Sequence, residues 1–110
     1  MKKQYRQGDV LLIAISDEEF NVKGFIPSEN KTVALGEATG HHHTFEGDVD
    51  VFVEEATSNL AVNMQGMLVD VHEDCVLIHQ EHARIAIPKG KYRRVIQREY
   101  SPEAIHNVAD

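Results

Sequence analysis

The sequence predicts an all-β fold, a small single-domain β-barrel or sandwich with a short helical turn near its C-terminus. Runs rich in β-branched and aliphatic residues recur along the chain, turn-forming residues separate them at spacings of roughly 8 to 12 residues, and no repeat or linker divides it. The 110 residues suit one compact core.

The first strand is expected over Asp9 to Ile15, where Val-Leu-Leu-Ile follows Gly8 and stops at the polar Ser16-Asp17-Glu18-Glu19. Phe20 to Asn30 carries Gly24, Pro27, Ser28 and Asn30 without a sustained period and reads as an exposed loop. Thr32 to Leu35 forms a short strand leading into Gly36-Glu37-Ala38-Thr39-Gly40, whose glycines permit a tight backbone path. His43 to Glu46 and Val49 to Glu54 read as two strands joined at Gly47-Asp48, and alternation puts Val49, Val51 and Val53 on one face.

Leu60 to Met64 and Met67 to Val71 are separated by Gln65-Gly66, the length of a two-residue hairpin loop. Cys75 to His79 follows the polar turn His72-Glu73-Asp74. Ala83, Ile85 and Ile87 then alternate up to Pro88-Lys89-Gly90, and Lys91 to Tyr100 closes the set as a long charged strand. Ser101-Pro102-Glu103 supplies a hydroxyl cap, a proline at the first helical position and an early acid, so a short helical turn carrying Ile105 and Val108 is expected there.

The net charge of −7 opposes binding to a phosphate backbone, so no nucleic-acid partner is expected. No apolar run approaches the roughly 20 residues that cross a bilayer, so no membrane partner is expected either. The basic N-terminus lacks the apolar stretch and cleavage site of a secretory signal, and Cys75, the single cysteine, reads as a buried thiol. A cytoplasmic protein is the expectation. The basic residues Lys89, Lys91, Arg93, Arg94 and Arg98 read as charge balance on a solvent face, with an anion or partner site as the functional alternative.

Five of the seven histidines fall in two groups, Gly40-His41-His42-His43 and His79-Gln80-Glu81-His82. In an extended segment His41 and His43 share a face while His42 points away. His79 and His82 are three apart, so a turn or bulge at Gln80-Glu81 is needed to aim both at one centre. Four neutral imidazoles, or three and a water, make a coordination sphere that zinc accepts, and copper, nickel and iron accept imidazole as well. The metal ligands are therefore expected to be His41, His43, His79 and His82, with Zn2+ as the cofactor. Glu37, Glu46 and Glu81 lie near these ligands, and Glu81, between two of them, is the candidate catalytic residue, orienting a ring or taking a proton from bound water. His72 and His106 read as exposed.

The elements Arg6-Gln7-Gly8-Asp9-Val10-Leu11-Leu12, Gly36-Glu37-Ala38-Thr39-Gly40-His41-x-His43, His79-x-x-His82-Ala83 and Gln97-Arg98-Glu99-Tyr100-Ser101-Pro102-Glu103 resemble a family of short uncharacterised bacterial and phage proteins. The resemblance implies that His41, His43, His79 and His82 occupy that family's histidine positions, and Arg84 stands where its pattern has proline. His41-x-His43-Thr44-Phe45-Glu46-Gly47 is also similar, more weakly, to the metal motif of cupin β-barrels, with the glutamate one residue early.

Three functions follow as expectations. An enzyme, lyase or hydrolase, would use metal-bound hydroxide to hydrate carbon dioxide or hydrolyse a small ester, amide or phosphate. A structural module would close the sphere with four histidines. An interaction protein would hold no functional metal. A chain this short makes a shallow pocket, so a homo-oligomer acting on a small-molecule substrate is the expected setting.

Overall fold

The computed structural model describes residues 2–36 and 40–97. Among the described residues, ten strands form two antiparallel sheets that pack as a sandwich and do not close into a barrel. The six-stranded sheet has the order β1 (Gln4–Gln7), β2 (Val10–Ile15), β10 (Gly90–Ile96), β7 (Met67–Val71), β6 (Val49–Glu54) and β3 (Phe25–Ser28). The four-stranded sheet has the order β4 (Thr32–Leu35), β5 (His42–Glu46), β8 (Cys75–Ile78) and β9 (Ile85–Ile87).

The core follows from period-two alternation. Val49, Val51 and Val53 are buried while Asp50 is exposed, and β6 pairs with β7 so that Val51 lies opposite Val69. Val10 and Leu12 from β2, Val33 from β4, Phe45 from β5, and Leu77 and Ile87 from β8 and β9 join them in one cluster. Each such aliphatic side chain, taken fully out of water, contributes roughly 1.5 to 3 kcal/mol before ordering costs. The Cys75 thiol is buried at the edge of this cluster, and burial raises its pKa, so it is inert core.

Several segments differ from the sequence expectation. Gln4–Gln7 forms an edge strand although Gln-Tyr-Arg-Gln has no apolar alternation; it is held by the ladder to β2 and by the edge-on stacking of Tyr5 against Tyr92 at 5.9 Å. Phe25–Ser28, expected as loop, pairs with β6 as the opposite edge of the same sheet, a place where Pro27 is tolerated. The charged strand is described as far as Ile96, and its expected continuation to Tyr100 and the helical turn beyond lie outside the described residues.

Leu60 to Met64 does not form a strand or a hairpin with Met67 to Val71. It runs into a 3-10 turn at Val62–Met64, and β7 pairs instead with β6 and β10. The reason is Arg94. Expected on a solvent face, its side chain points into the sandwich at 6% exposure, donating to Val33 O at 2.5 Å, Val62 O at 3.0 Å and Gln65 O at 2.5 Å. Those carbonyls are thereby satisfied without a ladder. Asn63 completes the turn: its Oδ1 accepts from Leu35 N at 2.7 Å and its Nδ2 donates to Leu35 O at 2.9 Å, a side-chain amide standing in for a strand beside β4.

Arg94→Met leaves three carbonyls without their donor. It is expected to cost about 3 kcal/mol, read as a lower urea midpoint, and Arg94→Lys should recover part of this because one ammonium cannot serve three separated acceptors.

Candidate functional site

The register of the small sheet brings the two histidine groups together. β5 and β8 pair Thr44 with Ile78, Phe45 with Leu77 and Glu46 with Val76. Carried past Ile78, this register sets His43 opposite His79, His42 opposite Gln80 and His41 opposite Glu81. The side chains obey it: the His43 and His79 ring centroids are 4.3 Å apart, His42 N donates to Gln80 Oε1 at 2.8 Å, and His41 Nδ1 lies 3.6 Å from Glu81 Oε1. The chain then bends over residues 80–82, as the three-residue spacing required, so the His82 centroid comes within 4.7 Å of His79 and 6.1 Å of His43. His41 lies 5.6 Å from His79.

Hydrogen bonds fix which nitrogen of two rings carries the proton. Gln7, buried at the end of β1, donates through Nε2 to Leu77 O at 2.9 Å and Ala83 O at 3.0 Å. Its Oε1 is therefore the acceptor that faces His43 Nδ1 at 2.9 Å, so His43 is protonated at Nδ1 and keeps a lone pair on Nε2. His79 has the opposite arrangement. Backbone N–H groups of Glu81 and His82 donate to its Nδ1 at 3.0 and 3.2 Å, so its proton sits on Nε2.

The four rings line one pocket of about 380 Å³, with Asp9, Asn63 and Glu81 among its polar neighbours and Val10, Ala34, Leu35 and Ile96 on its apolar wall. Two glycines make room. Gly8 has φ +57°, and a Cβ there would stand 2.6 Å from His82 Nε2; a Cβ on Gly36 would stand 2.9 Å from His41 Cβ and 3.1 Å from His79 Nε2.

Burial drives the electrostatics. It removes water from the charged form of His43, and with His79 and His82 nearby it lowers that pKa from 6.5 to about 4, against the opposing charge of Asp9. His79 is lowered too, first by burial and then by His82 and His41. Both rings are neutral at pH 7 and suited to offer nitrogen lone pairs or N–H donors.

Of the candidate carboxylates, Glu81 borders the pocket with its side chain 68% exposed, whereas Glu46 lies 3.8 Å from Arg84 and does not line it. Glu37 lies outside the described residues. His72 sits elsewhere, bonded to Asp50 Oδ2 at 2.7 Å, a contact that raises its pKa. Among the described residues, no group of three or more His, Cys, Asp or Glu side chains is disposed to hold an ion as it stands.

A family model described as a domain of unknown function, DUF8820, matches residues 6–97. The chain belongs to this family. The DUF8820 match spans Gln7, both pocket glycines and the four pocket histidines, and it ends at Gln97, the first residue of the Gln97 to Glu103 motif. No curated protein and no solved structure matches the chain. Gln7 was absent from the sequence reading of the site, and the signal that flagged it, the run Arg6-Gln7-Gly8-Asp9, was one of resemblance and not of chemistry.

Two outcomes are expected. Below pH 6.5 the unfolded chain binds a proton at residue 43 that the native state refuses until about 4, so stability of chelator-treated protein should fall across that interval. The loss is up to about 3 kcal/mol for this group, measured by urea unfolding as a function of pH, and His43→Gln should flatten the slope. Gly8→Ala should cost at least about 1 kcal/mol in thermal unfolding, because alanine is strained at that φ, and should displace the His82 ring resonances.

Proposed function

We propose that the histidine pocket is a transition-metal centre, with zinc the expected ion, that serves a hydrolytic or hydrating reaction on a small molecule. The observation that carries this is the convergence of four imidazoles from two distant stretches on one pocket, with neighbouring centroids 4.3 to 6.1 Å apart. Two imidazoles sharing a tetrahedral ion at about 2.0 to 2.1 Å have centroids roughly 5 Å apart, a spacing that these four pairs bracket.

His43 is the best prepared of the candidate ligands. It is neutral, its Nδ1 is held by Gln7, and its Nε2 has no hydrogen-bond partner among the described residues, which is how ligating histidines are oriented in metal proteins. When bound, the ion would supply a Lewis acid and lower the pKa of a water molecule toward about 7. Glu81, beside His41 and open to solvent, would pass a proton between the pocket and bulk water. The alternative is a non-catalytic module in which the metal, or the packed rings alone, stabilise the fold.

Protein purified without an affinity tag or metal column and incubated with zinc should retain about one equivalent after dialysis, measured by elemental analysis. His43→Ala should abolish retention, and Gln7→Leu should weaken affinity about 10- to 100-fold. Failure of the wild-type protein to retain any transition metal would overturn the proposal, and zinc retention without carbon dioxide hydration or esterase turnover would favour the non-catalytic alternative.

A further inference from the structure

We infer that the connection between β6 and β7 seats a second copy of this chain, with Met64 of each copy filling a groove on the other. The contact does not depend on a metal in the histidine pocket.

Residues 56–69 carry no Asp, Glu, Lys, Arg or His, although 26% of the chain is charged. Apolar side chains are left open to water there and beside it. Met64 is 67% exposed and Leu60 42%, Leu35 at 50% is bonded through its backbone to Asn63, and Ile26 at 41% borders the adjoining groove. Among the described residues, the one other large apolar side chain so exposed is Val22.

The polar groups of the connection are turned inward. Thr57 Oγ1 donates to Glu54 O at 3.1 Å and accepts from Gly66 N at 2.9 Å, and Ser58 Oγ donates to Glu55 O at 2.8 Å. Gln65 Nε2 donates to Ser58 O and Leu60 O, both at 3.1 Å, while Arg94 holds the carbonyls of Val62 and Gln65 from beneath. The segment is thus already ordered in the single chain, and an arriving partner gains apolar contact without having to order a loop.

A groove of about 270 Å³ opens beside it, where β3 and β4, the edge strands of the two sheets, face each other. Ile26, Val53, Val62 and Met67 give it apolar walls, and no ionisable side chain among the described residues lines it. Met64 stands in the chain between Val62 and Gln65, both of which line the groove, yet its own side chain is open to solvent. Knob and hole therefore lie side by side on one surface. That is the condition for a two-fold contact, in which each copy gives its knob and receives its partner's. Methionine, unbranched and polarizable, suits an irregular groove.

Charge favours the same occupant. At a net charge of −7, two copies repel over most of their surface, and an uncharged face is where they can meet. A highly charged partner would find no ionisable group on residues 56–69 or on the groove wall to pair with. Leu35 and Asn63 also line the histidine pocket, so the second copy stands beside its mouth.

Sedimentation equilibrium of the full, tag-free, chelator-treated chain tests the contact. An interface at the small end of the specific range is expected to give a dimer with Kd on the order of 10 µM. Met64→Glu alters a side chain exposed in the single chain, so it should fold as the wild type does by circular dichroism. It should weaken dimerisation at least ~100-fold, because each dimer would bury two unpaired carboxylates. Lys89→Glu, beside the far end of β7, also adds negative charge and should still dimerise. In dimers mixed from isotope-labelled and unlabelled copies, nuclear Overhauser effects should join the Met64 methyl group of one copy to Ile26 of the other.

A chain that stays monomeric at about 100 µM overturns the inference. So does a dimer that Met64→Glu leaves intact, or one without the Met64 to Ile26 signal between copies. Signals within one copy from residues beyond 97 to Ile26 would assign the groove to the chain's own C-terminal segment, which overturns it as well.

Discussion

Gln7 ties three separate stretches of chain at one point, and the geometry of the histidine pocket depends on it. Its amide donates to the carbonyls of Leu77 and Ala83 and accepts from His43. Both amide protons are thus spent on carbonyls, which leaves the oxygen no role except acceptor. The side chain that closes β1 onto the opposite sheet therefore also sets the protonation pattern of His43.

The same economy governs the rest of the interior. Among the described residues the buried polar side chains are Gln7, His43 and Arg94. Gln7 reaches from the six-stranded sheet to β5 and β8, and Arg94 reaches from β10 to Val33 of β4. Each acts as a polar staple between two apolar sheets. Valine and leucine faces pack without strong preference for one registration, whereas a buried amide or guanidinium that misses its acceptor costs about 1 to 3 kcal/mol or more. The staples thus select one alignment of the sandwich, which keeps the ends of β5 and β8 together.

At those ends the ladder passes from backbone to side chains. Beyond Thr44 and Ile78 the opposed residues are His43 and His79, then His42 and Gln80, then His41 and Glu81, and each opposed pair meets through its side chains or a side chain and a backbone N–H. Burial keeps His43 and His79 uncharged, so the rings approach without mutual repulsion. A pocket in which His43 and His79 are held neutral, with Glu81 at its border, offers lone pairs and N–H donors at those two rings.

Much of this was legible in the sequence because it is local. The alternation of Val49, Val51 and Val53, the turn at Gly47-Asp48 and the apolar run after Gly8 determine strands and their inner faces, and the spacing of His41 with His43 determines that they share a side. Local pattern also misled where a distant partner prevailed: Arg94 read as surface charge, Leu60 to Met64 as a strand and Phe25–Ser28 as a loop. Tertiary structure decided those, and it decided that His43 offers a lone pair while His79 offers a proton. Gln7 lies 36 residues from His43 and 70 from Leu77, so no periodicity in the chain encodes their meeting. Side-chain periodicity is dictated by the backbone of each strand, but a hydrogen bond between strands exists only once the two sheets have docked.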